Sequence, residues 1–123
     1  IIKTNQINIE DLIYEIRGKQ VMLDSDLAKL YNCTNGTKEI NQAVKRNIEK
    51  FPERYSWKLT NDESNLLVKI FDQKRETRGG KYKNPRVFTE QGVCMLATIL
   101  KSKVATQVSV NIMDVFVNMR KYI

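Results

Sequence analysis

The stretch Ile13-Tyr14-Glu15-Ile16-Arg17-Gly18-Lys19-Gln20-Val21-Met22-Leu23-Asp24-Ser25-Asp26-Leu27-Ala28-Lys29-Leu30-Tyr31 changes its hydrophobic pattern part-way along. Up to Leu23, two β-prone runs flank Gly18-Lys19. That arrangement predicts a hairpin turning at Gly18-Lys19, with Gly supplying the left-handed backbone angles. From Asp24 the spacing becomes helical. Asp24 or Ser25 is expected to cap a helix whose inner face is Leu27, Ala28, Leu30 and Tyr31. Strands leading into helices place the chain in the α+β class. Upstream, Asn8 is expected to cap a short helical turn carrying Glu10 and Asp11.

Downstream, Asn35-Gly36 breaks the first helix and a second starts near Thr37, running to Glu49. Its apolar residues Ile40, Val44 and Ile48 recur every fourth position, one narrow buried stripe. Lys38, Gln42, Lys45 and Glu49 fall opposite, with Asn41 and Arg46 on the flanks. Pro52 stops the helix by forcing Phe51 out of helical geometry. Tyr55-Ser56-Trp57-Lys58-Leu59 alternates as a strand does, with Tyr55, Trp57 and Leu59 on one face. Thr60-Asn61-Asp62-Glu63 is a capping box opening a helix with Leu66, Leu67, Ile70 and Phe71.

Residues 72–85 lack apolar periodicity, and Arg86-Val87-Phe88 reads as a short strand. Thr89 then caps a helix over 90–100 that is apolar nearly all round and is expected to be the central buried one. After the break Lys101-Ser102-Lys103, a last helix from about Val104 to Tyr122 carries Val104, Val108, Ile112, Val115, Phe116 and Met119 on one side. The expected fold is a helix-rich single α+β domain with small antiparallel β elements and a helix-turn-helix-like unit.

At 123 residues the chain suits one domain. It starts at Ile1 without an initiator Met, which predicts a piece excised from a longer protein. No apolar run is long enough for a membrane span, and no signal peptide pattern is present. The expected location is the cytoplasm of a bacterial or phage-infected cell, at the nucleoid. Lys and Arg number 21 against 14 Asp and Glu, a net charge of +7. The excess is concentrated: residues 38–58 sum to +3 and residues 69–90 to +4. Such blocks suit a polyanion, and equally a basic surface that only aids solubility.

Missing residues narrow the chemistry. With no His, the Ser-His-Asp and Cys-His nucleophile systems and His-ligated metal sites are excluded. Cys33 and Cys94 are too few for a four-thiolate zinc site and are expected to be buried reduced thiols. Neither a metal, a cofactor nor catalysis is expected. Asp24/Asp26 and Asp62/Glu63 occupy helix starts, where capping explains them better than a nuclease site does. Thr89-Glu90-Gln91-Gly92 likewise reads as a helix start in which Gly allows close packing.

Two segments point to nucleic acid. Helices 25–31 and 37–49 with a Gly-containing turn have the outline of a helix-turn-helix. Lys38, Asn41, Gln42 and Lys45 are the candidates for base edges, since amides pair with adenine and cations with guanine, while Arg46 suits phosphate. An amphipathic helix with a solvated polar face fits the same pattern. Lys74, Arg75, Arg78, Lys81 and Lys83 surround Gly79-Gly80 in a basic segment, residues 74–86 ending at Arg86, suited to phosphates or the minor groove, or to a soluble surface loop. It lacks P-loop spacing. Tyr55 and Trp57 suit a stacking platform or the core.

Read in order, Ile13 to Tyr31, Asn41-Gln42-Ala43-Val44-Lys45-Arg46-Asn47-Ile48-Glu49-Lys50-Phe51-Pro52-Glu53 and Phe88-Thr89-Glu90-Gln91-Gly92-Val93 resemble the ORF-six N-terminal domain. That family belongs to the KilA-N and Bro-N group of phages, prophages and large DNA viruses. The resemblance spans roughly residues 7–121. It implies a DNA-binding domain of transcriptional or phage-lifestyle regulation, without catalytic residues. It also implies fusion to a C-terminal effector domain in antirepressor-like proteins. Lys45-Arg46-Asn47 match the family pattern, whereas Tyr31 to Thr37 form a longer turn than the usual Tyr-Gly-Val type. The expected partner is double-stranded DNA. The other reading is a protein-interaction module, as a homodimer or against a repressor, without direct DNA binding.

Overall fold

The computed structural model describes residues 8–73 and 84–121. Asn8 caps a 3-10 turn, Ile9–Leu12, its side-chain oxygen accepting from the Glu10 amide. Strands β1 (Ile13–Ile16) and β2 (Lys19–Leu23) follow as an antiparallel hairpin. Ile16 lies opposite Lys19, so the turn is Arg17-Gly18, one residue earlier than the expected Gly18-Lys19. Both turn residues have positive φ, 59° and 71°. That is the pattern of the type I′ turn, whose twist matches the strands it joins.

Strands β3 (Ser56–Lys58) and β4 (Arg86–Phe88) complete a four-stranded antiparallel sheet of order β1-β2-β4-β3. The helices are α1 (Asp24–Leu30), α2 (Thr37–Arg46), α3 (Asn61–Gln73), α4 (Glu90–Leu100) and α5 (Lys103–Arg120). The fold is therefore the expected α+β. Side-chain alternation along the strands gives the sheet two apolar faces. Tyr14, Ile16, Val21, Leu23, Trp57 and Val87 pack on Leu67 and Phe71 of α3, with Tyr14 meeting Phe71 edge-on at 5.7 Å. Ile13, Met22 and Phe88 pack on α1, α2, α4 and α5 through residues such as Leu27, Ile40, Val93, Leu96, Ile112 and Phe116. Three layers result: α3, the sheet, and the other four helices.

Helix boundaries follow their caps. Thr60 Oγ1 accepts from the Glu63 amide while the Glu63 carboxylate accepts from the Thr60 amide, the reciprocal box expected at α3. Ser102 caps α5 through the Ala105 amide. Helix α2 ends at Arg46 rather than Glu49. Asn47 leaves helical geometry and its Nδ2 donates back to the Ala43 carbonyl at 2.8 Å. A 3-10 turn, Ile48–Lys50, follows, and Phe51 before Pro52 is non-helical as expected.

Several expectations are corrected. Ile48 leaves the buried stripe and is 54% exposed, because the helix that would have turned it inward has ended. At α1, Leu23 holds the cap position without a side-chain bond, and Asp24 is the first helical residue. Helix α4 is buried on one side only, through Gly92, Val93 and Leu96, while Gln91, Cys94 and Thr98 face solvent. Cys94 is thus an exposed thiol and Cys33 a half-buried one; both are free. Leu66 of α3 and Val104 of α5 are exposed. Among the described residues, no helix is long and apolar enough to cross a membrane.

Candidate nucleic-acid interface

Helices α1 and α2 pack through Leu27, Ala28 and Tyr31 against Ile40 and Val44. The turn between them is closed by Cys33 donating to the Ala28 carbonyl at 2.9 Å and Gly36 donating to Cys33 at 3.1 Å. Gly36 has φ 63° and ψ −146°, a backbone region essentially restricted to glycine. A Cβ there would meet nothing within 4 Å, so the backbone angle and not space demands glycine. Glu39 Oε1 accepts from the Asn35 amide at 3.3 Å and steadies the turn before α2.

Along α2, Lys38, Gln42, Lys45 and Arg46 are exposed on one side, as expected. Asn41 is half-buried, and its amide donates to Asp24 Oδ2 at 3.0 Å and to the Thr37 carbonyl at 3.1 Å. Its NH2 group is thus held inside the protein rather than offered to a base. The acceptor, Asp24, is 4% exposed. Its Oδ1 accepts from the Ser25 amide at 2.8 Å, and its Oδ2 also accepts from the Arg86 amide at 3.2 Å. One buried carboxylate therefore ties α1, α2 and β4 together. The hydrogen bonds replace water around the charge and offset its burial.

Beside this tie lies a cleft of about 790 Å³, walled by Asn41, Val44, Lys45 and Ile48 on one side and Lys58, Asn84, Pro85 and Arg86 on the other. Lys58 and Arg86 are directly opposed across β3 and β4. Like charges so placed repel. Arg86 is half-buried, donates to Ser56 Oγ at 3.0 Å, and has its pKa lowered by burial, partly opposed by the Asp24 charge. Lys45 brings a third cation to the same cleft. Phosphate oxygens are the chemistry that such a concave cationic surface accommodates.

Lys74, Arg75, Arg78, Lys81 and Lys83 lie outside the described residues. The next residue in sequence, Asn84, has φ 54°, accepts from Ser64 Oγ at 3.1 Å, and lines the cleft. Arg86 closes the basic segment 74–86 singled out in the sequence, whereas Lys58 and Ile48 were not read there as binding residues. Lys58 alternates outward from buried Trp57, a readable signal, but only the strand order brings it beside α2. Trp57 is buried, with the Arg17 guanidinium 4.6 Å from its ring centroid, so it belongs to the core and not to a stacking platform. Among the described residues, no group of three or more Cys, Asp or Glu is placed to hold a metal.

The model of the ORF6N domain matches residues 11–99, most of the chain. The chain belongs to the ORF6N domain family. No curated protein and no solved structure matches it. The ORF6N match begins before β1 and ends within α4, so it contains the sheet, the α1–α2 unit and the cleft. It is narrower than the resemblance over residues 7–121, and α5 lies beyond it. That helix nevertheless packs Ala105, Ile112 and Phe116 into the same core.

Proposed function

We propose that this domain binds double-stranded DNA in transcriptional or phage-type regulation, as a binding module without catalysis. Lys38, Gln42 and Lys45 of α2 face the major groove. Arg46, Lys58 and Arg86 contact phosphates, together with the basic segment holding Lys74, Arg75, Arg78, Lys81 and Lys83. Asn41 positions α2 through Asp24 instead of reading a base. The observation that carries this reading is the convergence of Lys45, Lys58 and Arg86 on one cleft, two of them opposed across a strand pair. Repulsion in the free protein becomes attraction once a polyanion lies between the cations.

The K45A/R46A variant tests it by fluorescence anisotropy on mixed-sequence duplex. Both side chains are exposed, so the fold is retained. Each lost phosphate contact lowers the slope of log affinity against log salt by about 1. Weaker binding is expected from the pair, with the slope reduced by about 1 for the phosphate contact of Arg46. Unchanged affinity and slope would remove α2 from the interface.

A second reading, a protein-interaction module as an antirepressor or homodimer, is favoured by α5. Val110 and Val117 are exposed two turns apart, near the contact of Cys94 Sγ with Met113 Sδ at 3.6 Å. Its valines lie on α5, beyond the ORF6N match, and this face is compatible with DNA binding elsewhere on the domain.

A further inference from the structure

Ile48 is out of character with its surroundings. It is a branched aliphatic side chain, 54% exposed, on the wall of a cleft shared with Lys45, Lys58 and Arg86. Its chain neighbours Arg46, Glu49 and Lys50 are exposed and charged. The fold does not use it as core: Phe51 and Val44 on either side are buried, while Ile48 is turned out by the 3-10 turn that ends α2. An apolar group there has nothing to offer a phosphate. Among the features that a duplex presents in its major groove, one is apolar, the C5-methyl of thymine.

We infer that Ile48 packs on a thymine methyl and is a specificity-determining residue at the end of α2. The inference rests on the duplex-binding reading above. A docked protein would bring apolar surface and want apolar surface in return; the rim here is cationic, which favours DNA.

The test compares an alternating dA·dT duplex with its deoxyuridine counterpart, which lacks only the methyl groups. Alternation places a thymine at every second step, so binding register does not matter. Burying one methyl corresponds to about a fourfold difference in affinity. The wild-type domain is expected to bind the thymine duplex about fourfold more tightly. I48A is expected to bind both equally while keeping the wild-type salt slope, and I48V to retain the preference. Equal wild-type affinities, or the same preference in I48A, would overturn the thymine contact. With steep salt dependence intact, that outcome leaves duplex binding standing without the thymine contact. If the wild type binds neither duplex at low salt, the duplex-binding reading falls and the thymine contact with it.

Discussion

Arg17 shows how single residues hold the hairpin in place. It adopts φ 59°, a left-handed conformation costing about 1–2 kcal/mol in a residue with a Cβ. Its guanidinium lies over the Trp57 ring and donates to Glu63 at two positions and to Glu53 at 3.1 Å. The Arg17 contact holds the Glu63 carboxyl below its ordinary value. Burial opposes this, and the Thr60 amide and the Trp57 indole add to the lowering. A carboxyl with a depressed folded-state pKa stabilises the fold above the unfolded value, and that stability is lost as pH falls through the folded value. E63Q tests this, because Gln preserves the capping box while deleting the charge. E63Q should unfold at lower urea than wild type at pH 7, and the two midpoints should converge below about pH 4. A gap that stays constant with pH would deny the charge its role.

At the scale of elements, Thr89-Glu90-Gln91-Gly92 joins α4 to the sheet. The Thr89 amide and hydroxyl both donate to the Tyr55 carbonyl, and Thr89 Oγ1 also accepts from the Gly92 amide. A Cβ on Gly92 would lie 2.2 Å from the Tyr55 oxygen, which is backbone and cannot swing away. G92A should therefore lose about 1–3 kcal/mol or more in chemical denaturation. A loss within about 0.5 kcal/mol, the usual surface value, would show that the junction yields easily. This start was legible in the sequence because a Thr cap, an acidic first turn and a Gly are all local. The capping box at Thr60 and the Asn8 turn were legible for the same reason. Ile48 was not: its periodicity fits α2, but the Asn47 side chain competes for the backbone and ends the helix first. Cys94 was not either, since the apolar character of α4 does not say which side α5 leaves open. The hairpin was legible while its register was not, because Arg17-Gly18 and Gly18-Lys19 differ by one residue and only strand twist chooses. The cleft depends on β3 reaching α2 across β4, a pairing between distant segments, so local marks on Lys58 and Arg86 did not show that they meet Lys45 there.

Over the whole molecule, the layers separate the core from the surface proposed to bind. Helix α3 covers one face of the sheet, and α1, α4 and α5 with the inner side of α2 cover the other. The outer side of α2 is thereby free to carry Lys38, Gln42, Lys45 and Arg46. The Asp24 tie joins that helix to β4, so Lys45 and the cations of the sheet face one cleft from its two sides. Asn84, next in sequence after Lys83, lines the cleft. Preorganised cations bind a polyanion with little ordering cost. The most direct test is the affinity of the wild-type domain for mixed duplex across a salt series, with single-stranded DNA and RNA alongside. About 4–6 phosphate contacts predict preference for duplex and a slope of about −4 to −5 in log affinity against log salt. Absence of duplex binding at low salt would contradict the account and leave the exposed valines of α5 as the surface to pursue.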